Sequence, residues 1–375
     1  MVLNDVCEVY SGYALKSFNE GKEGFPVIKI GNILTDGRLS LEDCQYTTET
    51  VNTKYYSQKD DVYVALSGAT TGKIGLMETD ESYVINQRVG VVRRKDKKIP
   101  SRFIKYFLLK QTERILQEAA GCAQPNISPK QIGAYTFPSF SSEKMEEITR
   151  ELDKVTNVIQ YRYKQNNLLD CLIKARFVEM FDHSEFPMLM IEELCSDIVD
   201  CPHSTPTYEG ELKNPAIRTS EIKKGYILWD SMRYVSDDEY EKRVKRLRPK
   251  SGDIVYGREG TFGNAAVLPD GYKFCLGQRV MLLRPDHSKC TSEYLLHAII
   301  SDDVYRQAMG KNNASTVAHV NVKDVKQFKV PLPPLEKQKI FASFIKQVDK
   351  SKVAIQKSLA ETQLLFDKLM QDYFG

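Results

Sequence analysis

The sequence of this chain contains an internal repeat whose period is about half its length. The tripeptide Gln-Arg-Val at residues 87–89 returns at residues 278–280, 191 residues later. The order of the surrounding features also returns: Asp61 and a glycine-rich turn match Asp253 and a second glycine-rich turn. Offsets between the matched segments range only from 188 to 193 residues, as small loop insertions would produce. Such a long period indicates two copies of one domain rather than a solenoid of short repeats.

Length and composition are typical of a globular protein with more than one domain. The chain has 375 residues, 42% hydrophobic and 27% charged, which leaves room for two or three separate cores. It has no apolar run of 18 residues and no N-terminal signal pattern, so we expect neither a membrane span nor secretion. Its eight cysteines form no Cys-x-x-Cys pair, which favours reduced thiols and a cytoplasmic location. The net charge of +3 neither requires nor excludes a nucleic-acid partner.

Each repeat ends in a long segment with helical periodicity. The first helix is expected to open near Ser141, since serine is a favoured N-cap, and each segment carries apolar residues at alternating spacings of three and four. The first seam is Ile148, Leu152, Val155, Ile159, Leu169, Ile173 and Met180, and the second is Phe341, Ile345, Val348, Ile355, Leu359, Phe366, Leu369 and Tyr373. Polar residues interrupt both seams, at Arg162, Asn166 and Arg176 in the first and at Lys352 and Thr362 in the second. With these positions included, adding 193 to each position of the first seam gives the second, so the helices are equivalent. Helices of roughly 40 residues far exceed the usual 11–12, which favours pairing with each other over packing of each on its own domain; both arrangements stay open.

These patterns predict an α+β fold in which two repeated globular domains are joined by two long helices forming an antiparallel coiled coil. We expect the first domain at residues 1–142 and the central helix at residues 143–182. The second domain is expected at residues 183–334, and the C-terminal helix at residues 335–375.

The familiar patterns of catalytic and cofactor sites are missing from the sequence. Residues 67–74 resemble a phosphate-binding loop, but the glycines are one residue too close and Ile74 occupies the position of the magnesium-binding hydroxyl. The second repeat lacks the lysine of that loop. We found no methyltransferase or nuclease motif, and no paired ligand spacing typical of zinc. We therefore predict no catalytic, cofactor-binding or metal-binding residues in this chain.

Two features favour DNA binding. Residues 242–250 hold six basic side chains and residues 93–98 hold five, which would suit neutralisation of phosphates, although each run is more often a solvated loop. The loops also contain arginine, asparagine and glutamine, the side chains that read guanine and adenine edges. The repeated Gln-Arg pairs could equally make structural hydrogen bonds across the sheet.

Several segments resemble the specificity subunits of Type I DNA restriction-modification systems. They are the two Asp-led strands with their glycine-rich turns, the paired Gln-Arg-Val strands, residues 126–132 with 320–325, the segment 330–338 and the segment 200–206. The first repeat departs from the pattern at residues 11–14 and 139–141, which suggests that the two repeats prefer different DNA sequences. The resemblance covers essentially the whole chain.

The resemblance implies a subunit without catalytic residues. Its two target-recognition domains would each read one half of a split sequence in double-stranded DNA, and its helices would set the gap between the halves. Adenine methyltransferase (M) subunits and motor-nuclease (R) subunits would be its partners, and no membrane is implied. S-adenosylmethionine, ATP and magnesium are expected on those partners and not on this chain.

We expect the DNA contacts to come from polar side chains in the repeated loops. In the first domain the candidates are Ser67, Thr70, Thr71, Lys73, Gln87, Arg88, Asn126 and Lys130. In the second they are His203, Ser204, Arg258, Thr261, Asn264, Gln278, Arg279 and Lys323. Two alternatives stay open: a coiled-coil scaffold whose domains bind proteins, and an unusual DNA-modification enzyme.

Overall fold

The computed structural model describes residues 1–120, 125–181, 185–209, 213–259, 263–311 and 320–375. The chain divides into two compact units. Unit 1 comprises Met1–Tyr163 with Lys357–Gly375, and unit 2 comprises Lys164–Gln356. Each unit therefore contains one sequence repeat together with a part of each long helix.

Unit 1 contains seven short strands and four short helices within its described residues, followed by the first long helix. The elements are α1 (Leu3–Val6), β1 (Cys7–Ser11), β2 (Phe25–Ile28), β3 (Gln45–Thr47), β4 (Val62–Ala65), β5 (Ile74–Leu76), β6 (Val84–Ile85), β7 (Val89–Arg94), α2 (Ser101–Lys110), α3 (Thr112–Ala119), α4 (Pro129–Gly133) and α5 (Ser142–Phe181), whose second half belongs to unit 2. Short 3-10 turns lie at Ile30–Asn32, Thr53–Tyr55 and Gly68–Thr70.

Unit 2 repeats this order with small additions. Its elements are β8 (Met188–Met190), α6 (Ile191–Leu194), β9 (Cys195–Asp200), β10 (Asn214–Ile217), β11 (Arg233–Val235), α7 (Asp237–Arg243), β12 (Ile254–Gly257), β13 (Ala265–Val267), β14 (Cys275–Leu276), β15 (Val280–Pro285), α8 (Ser292–Ile299), α9 (Asp302–Lys311), α10 (Val322–Gln327), β16 (Lys329–Pro331) and α11 (Leu335–Phe374), whose second half belongs to unit 1.

The two units have the same sheet topology. A four-stranded antiparallel sheet has the order β1-β7-β4-β5 in unit 1 and β9-β15-β12-β13 in unit 2. A three-stranded sheet, β3-β2-β6 or β11-β10-β14, contains one parallel pair in each unit. β8 and β16 form a further two-stranded sheet in unit 2. The sequence repeat is thus a structural repeat.

The four-stranded sheet of each unit lies between two hydrophobic cores. In β4, Val62 and Val64 point to the core that contains helices α2 and α3, whereas Tyr63 and Ala65 point to the core shared with β2 and β6. Because both faces are covered, the strand is buried at every position, which explains its continuous apolar run rather than an alternating one. β12 has the same burial.

The long helices pair antiparallel within each unit. In unit 1 the beginning of α5 and the end of α11 share one core, with Ile148 and Leu152 beside Met370. In unit 2 the end of α5 and the beginning of α11 share another, in which Phe181 contacts Phe341 at a ring-centroid distance of 5.3 Å. Every predicted seam residue is buried or partly buried. The predicted fold class, two repeated α+β domains with an antiparallel pair of long helices, is confirmed.

One detail differs from what the sequence pattern predicts. The pattern favours one helix over residues 101–120 and one near residues 292–309, but the first breaks at Gln111 into α2 and α3, and the second breaks after Ile299 into α8 and α9. The compact units also divide both long helices between them. The module boundaries 1–142 and 183–334 therefore stay predictions about exchangeable segments.

Candidate nucleic-acid interface

One end of each four-stranded sheet is held by a buried ion pair. Arg93 makes two hydrogen bonds of 2.7 Å to the carboxylate of Asp61, and Arg284 makes the equivalent bonds of 2.9 and 2.8 Å to Asp253. The carboxylate of Asp253 raises the pKa of the Arg284 guanidinium, chiefly through these hydrogen bonds. The repeated aspartate is therefore structural, and it fixes the sheet end that lies away from the glycine-rich turns.

At the other end of the unit 1 sheet, three loop segments are joined by backbone hydrogen bonds. The Leu66 nitrogen donates to the Arg88 oxygen and the Ile127 nitrogen donates to the Leu66 oxygen, both at 2.9 Å. A third bond runs from the Gly12 nitrogen to the Val89 oxygen at 2.9 Å. These bonds bring together loops that are far apart in sequence.

Unit 2 has the same frame. The Arg258 nitrogen donates to the Arg279 oxygen, and the Val320 nitrogen donates to the Arg258 oxygen, both at 3.0 Å. The bond from Cys201 to the Val280 oxygen is 3.1 Å. We call this set of bonds, in either unit, the loop frame.

The glycine-rich turns adopt conformations that require glycine. Gly72 has a φ of +84° and its repeat partner Gly263 a φ of +85°, a region that other residues rarely adopt. The turn that follows β4 or β12 therefore favours glycine at the equivalent position in both units.

Most of the predicted residues of unit 1 lie on the loop frame or beside it. Gln87, Arg88, Asn126 and Lys130 are exposed, whereas Ser67, Thr70 and Lys73 are partly exposed. Thr71 is buried, and its hydroxyl donates to the Gly68 carbonyl at 2.7 Å. The expectation of a direct DNA contact from Thr71 is corrected to a structural role, because this hydroxyl closes the turn.

In unit 2 the predicted residues divide in the same way. His203, Ser204, Arg279 and Lys323 are exposed. Gln278 donates to Thr205 Oγ1 at 2.8 Å, and Asn264 donates to the Ile222 carbonyl at 3.1 Å. Thr261 lies outside the described residues.

Arg258 departs from its predicted role. Its side chain is only 8% exposed and donates to Asp200 Oδ1 at 2.8 Å. The guanidinium therefore has a protein carboxylate where we expected a phosphate or a guanine.

The basic runs contribute less to the surface than the sequence suggests. In the first run, Arg93 is held by Asp61 and Arg94 pairs with Asp60 at 2.6 Å. In the second, Arg243 is buried and donates to the carbonyls of Leu276 and Ser204, at 2.9 and 3.2 Å. Three of the eleven basic side chains are thus held within the protein, whereas the other eight are exposed, and their contact with phosphates stays a prediction.

Sequence reasoning missed two acidic residues of the unit 2 loops. Asp200 pairs with Arg258, and Glu259 pairs with Arg279 at 2.9 Å. The repeat held a signal for both, because the aligned positions of the first copy are Ser11 and Ser67. A charge that occurs in only one copy of a repeat indicates that the two copies have different side chains around their loops.

Comparisons with known proteins agree with this architecture. A family model described as the Type I restriction modification DNA specificity domain matches residues 1–170 and 205–363. The chain is similar to the Type I restriction enzyme EcoBI specificity subunit of Escherichia coli, with 21% identity over 369 residues that cover 90% of this chain and 76% of that protein. It is also similar to the putative Type I restriction enzyme MjaX specificity subunit of Methanocaldococcus jannaschii, with 22% identity over 376 residues that cover 92% and 85%.

The fold is similar to that of a solved protein of the same kind. The S subunit of a Type I restriction-modification system from M. genitalium aligns with a TM-score of 0.56 and 15% identity, covering 100% of this chain and 95% of that one. Among the helices of the described ranges, none combines the length and apolar character needed to cross a membrane. Since the family model matches most of the chain, in two segments that follow the two repeats, the chain belongs to the Type I restriction-modification DNA specificity family.

Proposed function

We propose that this chain is the non-catalytic recognition subunit of a Type I restriction-modification complex, with each domain reading one half of a bipartite DNA target. The observation that carries the proposal is the loop frame, which occurs twice with the same backbone bonds but with different side chains at some of its positions, such as Ala14 in the first copy and His203 in the second. A rigid frame that presents variable loops suits sequence recognition.

The exposed residues of each frame are the proposed contacts. Asn and Gln side chains suit adenine, and Arg suits guanine or a phosphate. Gln87 and Arg88 lie on the frame of unit 1, and the equivalent Gln278 and Arg279 lie on the frame of unit 2. The exposed His203 of unit 2 stands where unit 1 has Ala14. Because such neighbouring loop residues differ, the two half-sites should differ in sequence.

The proposal assigns catalysis and cofactors to partners. Adenine methyltransferase subunits would bind S-adenosylmethionine, and motor-nuclease subunits would bind ATP and magnesium. The long helices would set the spacing of the half-sites and dock the methyltransferase subunits. Support comes from the family membership and from the absence of catalytic motifs in the sequence.

The test is an exchange of one recognition module. The chain is expressed with its methyltransferase partner, and the methylated motif is mapped by sequencing genomic DNA. Replacing residues 1–142 with the same segment of a relative should change one half of the motif and leave the other half unchanged. Replacing residues 183–334 is the matched control and should change only the other half. A change in both halves from either exchange would contradict the proposal.

A second measurement addresses the absence of catalysis. The purified chain without partners should neither methylate nor cleave DNA, and it should not hydrolyse ATP. Methyl transfer by the isolated chain would favour a modification enzyme. Failure of the partner complex to prefer any DNA sequence would favour a protein-binding scaffold.

A further inference from the structure

The two loop frames differ at three equivalent positions near the end of the first sheet strand. The second repeat has Asp200, His203 and Arg258 where the first has Ser11, Ala14 and Leu66. The equivalence follows from the backbone, since Ser11 pairs with Gly90 and Asp200 with Met281 on the matching strand of each unit. One copy therefore carries a charged network where the other carries small or apolar residues.

The network joins a buried arginine to an exposed histidine. Asp200 Oδ1 accepts hydrogen bonds from Arg258 Nη2 at 2.8 Å and from the Cys201 nitrogen at 2.9 Å. The second oxygen, Oδ2, lies 3.7 Å from His203 Nε2. The side chain of Arg258 is 8% exposed, that of Asp200 is 19% exposed, and that of His203 is 74% exposed. Asp200 therefore lies between the buried guanidinium of Arg258 and the exposed ring of His203.

The arginine end of the network is part of the loop frame itself. The nitrogen and oxygen of Arg258 make the two backbone bonds that join the three loop segments. A buried arginine needs its carboxylate, because an unpaired charge in this position is strongly unfavourable. The position of Asp200 is therefore fixed relative to the frame.

The first repeat shows that the frame itself does not need this network. Leu66 makes the same two backbone bonds, both at 2.9 Å, with an apolar side chain. A frame of this kind therefore closes without charged side chains at these positions. Asp200 also lies beside His203, a residue that the sequence predicts to contact DNA.

We infer that Asp200 and Arg258 are positioning residues that hold His203, and the segment 201–205 around it, for a specific contact in the half-site read by the second domain. The inference rests on the proposed function and adds a side-chain network that the first domain lacks. Asp200 Oδ2 lies beside Nε2 of this ring, and an imidazole can donate a hydrogen bond to a phosphate or to a base acceptor. Gln278 supports the same segment through Thr205.

The test uses the complex of the full chain with its methyltransferase partner. Once the methylated motif is mapped, methyl transfer is measured on duplexes with the matched motif and on duplexes with one altered base pair in either half. The double variant Asp200→Ser with Arg258→Leu gives the second frame the residues of the first. His203→Ala, which matches Ala14, is made in both the natural and the double-variant background.

We expect the double variant to raise KM for the matched duplex about tenfold, as for the loss of one base-pair contact, with kcat unchanged. Discrimination against an altered second half-site should fall by a similar factor, and discrimination at the first half-site should stay the same. His203→Ala should have the same effect alone but little effect in the double-variant background. The matched control is Asp303→Ser with Arg306→Leu, which removes an exposed ion pair of the second domain.

Several outcomes would overturn the inference. One is an unchanged KM and discrimination with His203→Ala, whose exposed side chain can be removed without disturbing a core. Another is an equal effect of His203→Ala in both backgrounds, since the network would then not act through the histidine. If the double variant fails to fold, Asp200→Asn replaces it, because it keeps an acceptor for Arg258 and removes the charge beside His203. A natural complex without any sequence preference would refute the proposed function instead.

Discussion

The aspartate that recurs before each central strand shows how a repeated residue can be structural. The Asp61 side chain is 1% exposed and that of Arg93 is 16% exposed, and the Asp253–Arg284 pair is buried to a similar degree. In each unit the carboxylate also accepts from a backbone nitrogen, that of Gln58 or that of Lys250. Removing one member leaves the other charge buried without compensation.

We therefore expect Asp61→Ala to lower the free energy of unfolding of unit 1 by about 3–5 kcal/mol. The measurement is urea-induced unfolding followed by circular dichroism. Asp80→Ala is the matched control, because the Lys59–Asp80 pair is exposed and should contribute less than about 1 kcal/mol. Equal losses from the two variants would show that the buried pair has no special role.

His297 packs against the aromatic core of unit 2, beside Phe177 and Phe341, and keeps partial exposure. Burial, with a smaller contribution from Lys352, lowers the pKa of His297 to about 4, and its ring lies 5.3 Å from that of Phe341. In the unfolded chain the pKa of a histidine is about 6.5. Between these values the unfolded state binds a proton that the folded state does not, so the free energy of unfolding falls as pH decreases from about 6.5 to about 4.

The expected loss is about 2 kcal/mol, somewhat below the full linkage value because the side chain keeps partial exposure. The measurement is the difference in unfolding free energy between the natural chain and His297→Gln at pH values from 4 to 7.5. This difference should change across that range. A difference that is constant with pH for His297→Gln would contradict the assignment.

At the scale of elements, the last turns of α11 complete the core of unit 1. Met370 is 5% exposed and packs in the cluster that contains Phe103 and Phe107. Phe374 contacts Phe103 at a ring-centroid distance of 5.1 Å. The last turns of α11 are thus part of the first compact unit.

Met370→Ala should lower the stability of unit 1 by about 2–4 kcal/mol through a cavity in this core. Leu364→Ala on the same helix is the matched control, since Leu364 is 70% exposed and should change stability by no more than about 0.5 kcal/mol. The thermal midpoint of each variant is the measurement. If the two substitutions were equally tolerated, the packing of this helix end on unit 1 would be refuted.

At the scale of the whole molecule, the paired helices are proposed to act as a ruler. A heptad inserted into each helix restores the seam register and adds about 10 Å of helix. The gap between the two halves of the methylated motif should then lengthen by about three base pairs, at roughly 3.4 Å per base pair. That change rotates the second half-site around the duplex by more than a quarter turn, so affinity should also fall.

The readout is the motif methylated in cells that carry the lengthened chain with its partners. A heptad in one helix alone is the control, and it should abolish methylation because the seams no longer match. An active complex whose motif keeps its original gap would refute the ruler.

The repeat, the equivalence of the two long helices and the α+β class can all be inferred from the order of the amino acids. These features follow from local periodicity and from matched segments, which can be recognised without any knowledge of long-range contacts. The seam residues are a clear instance, because spacing alone identified positions such as Ile148 and Phe341 that are buried in the structure. The loop positions of the candidate interface were also accessible, since the same motifs occur twice.

The direction in which the side chains of those loops point depends instead on long-range packing. Thr71 and Arg258 belong to motifs that suggest ligand contact, yet both are buried and bonded to the protein. The partner of Arg258, Asp200, is 58 residues away along the chain, and no local feature of the sequence indicates this pairing. Whether a charge faces solvent or a buried counter-charge depends on which distant strands become neighbours, and this information resides in the packed fold.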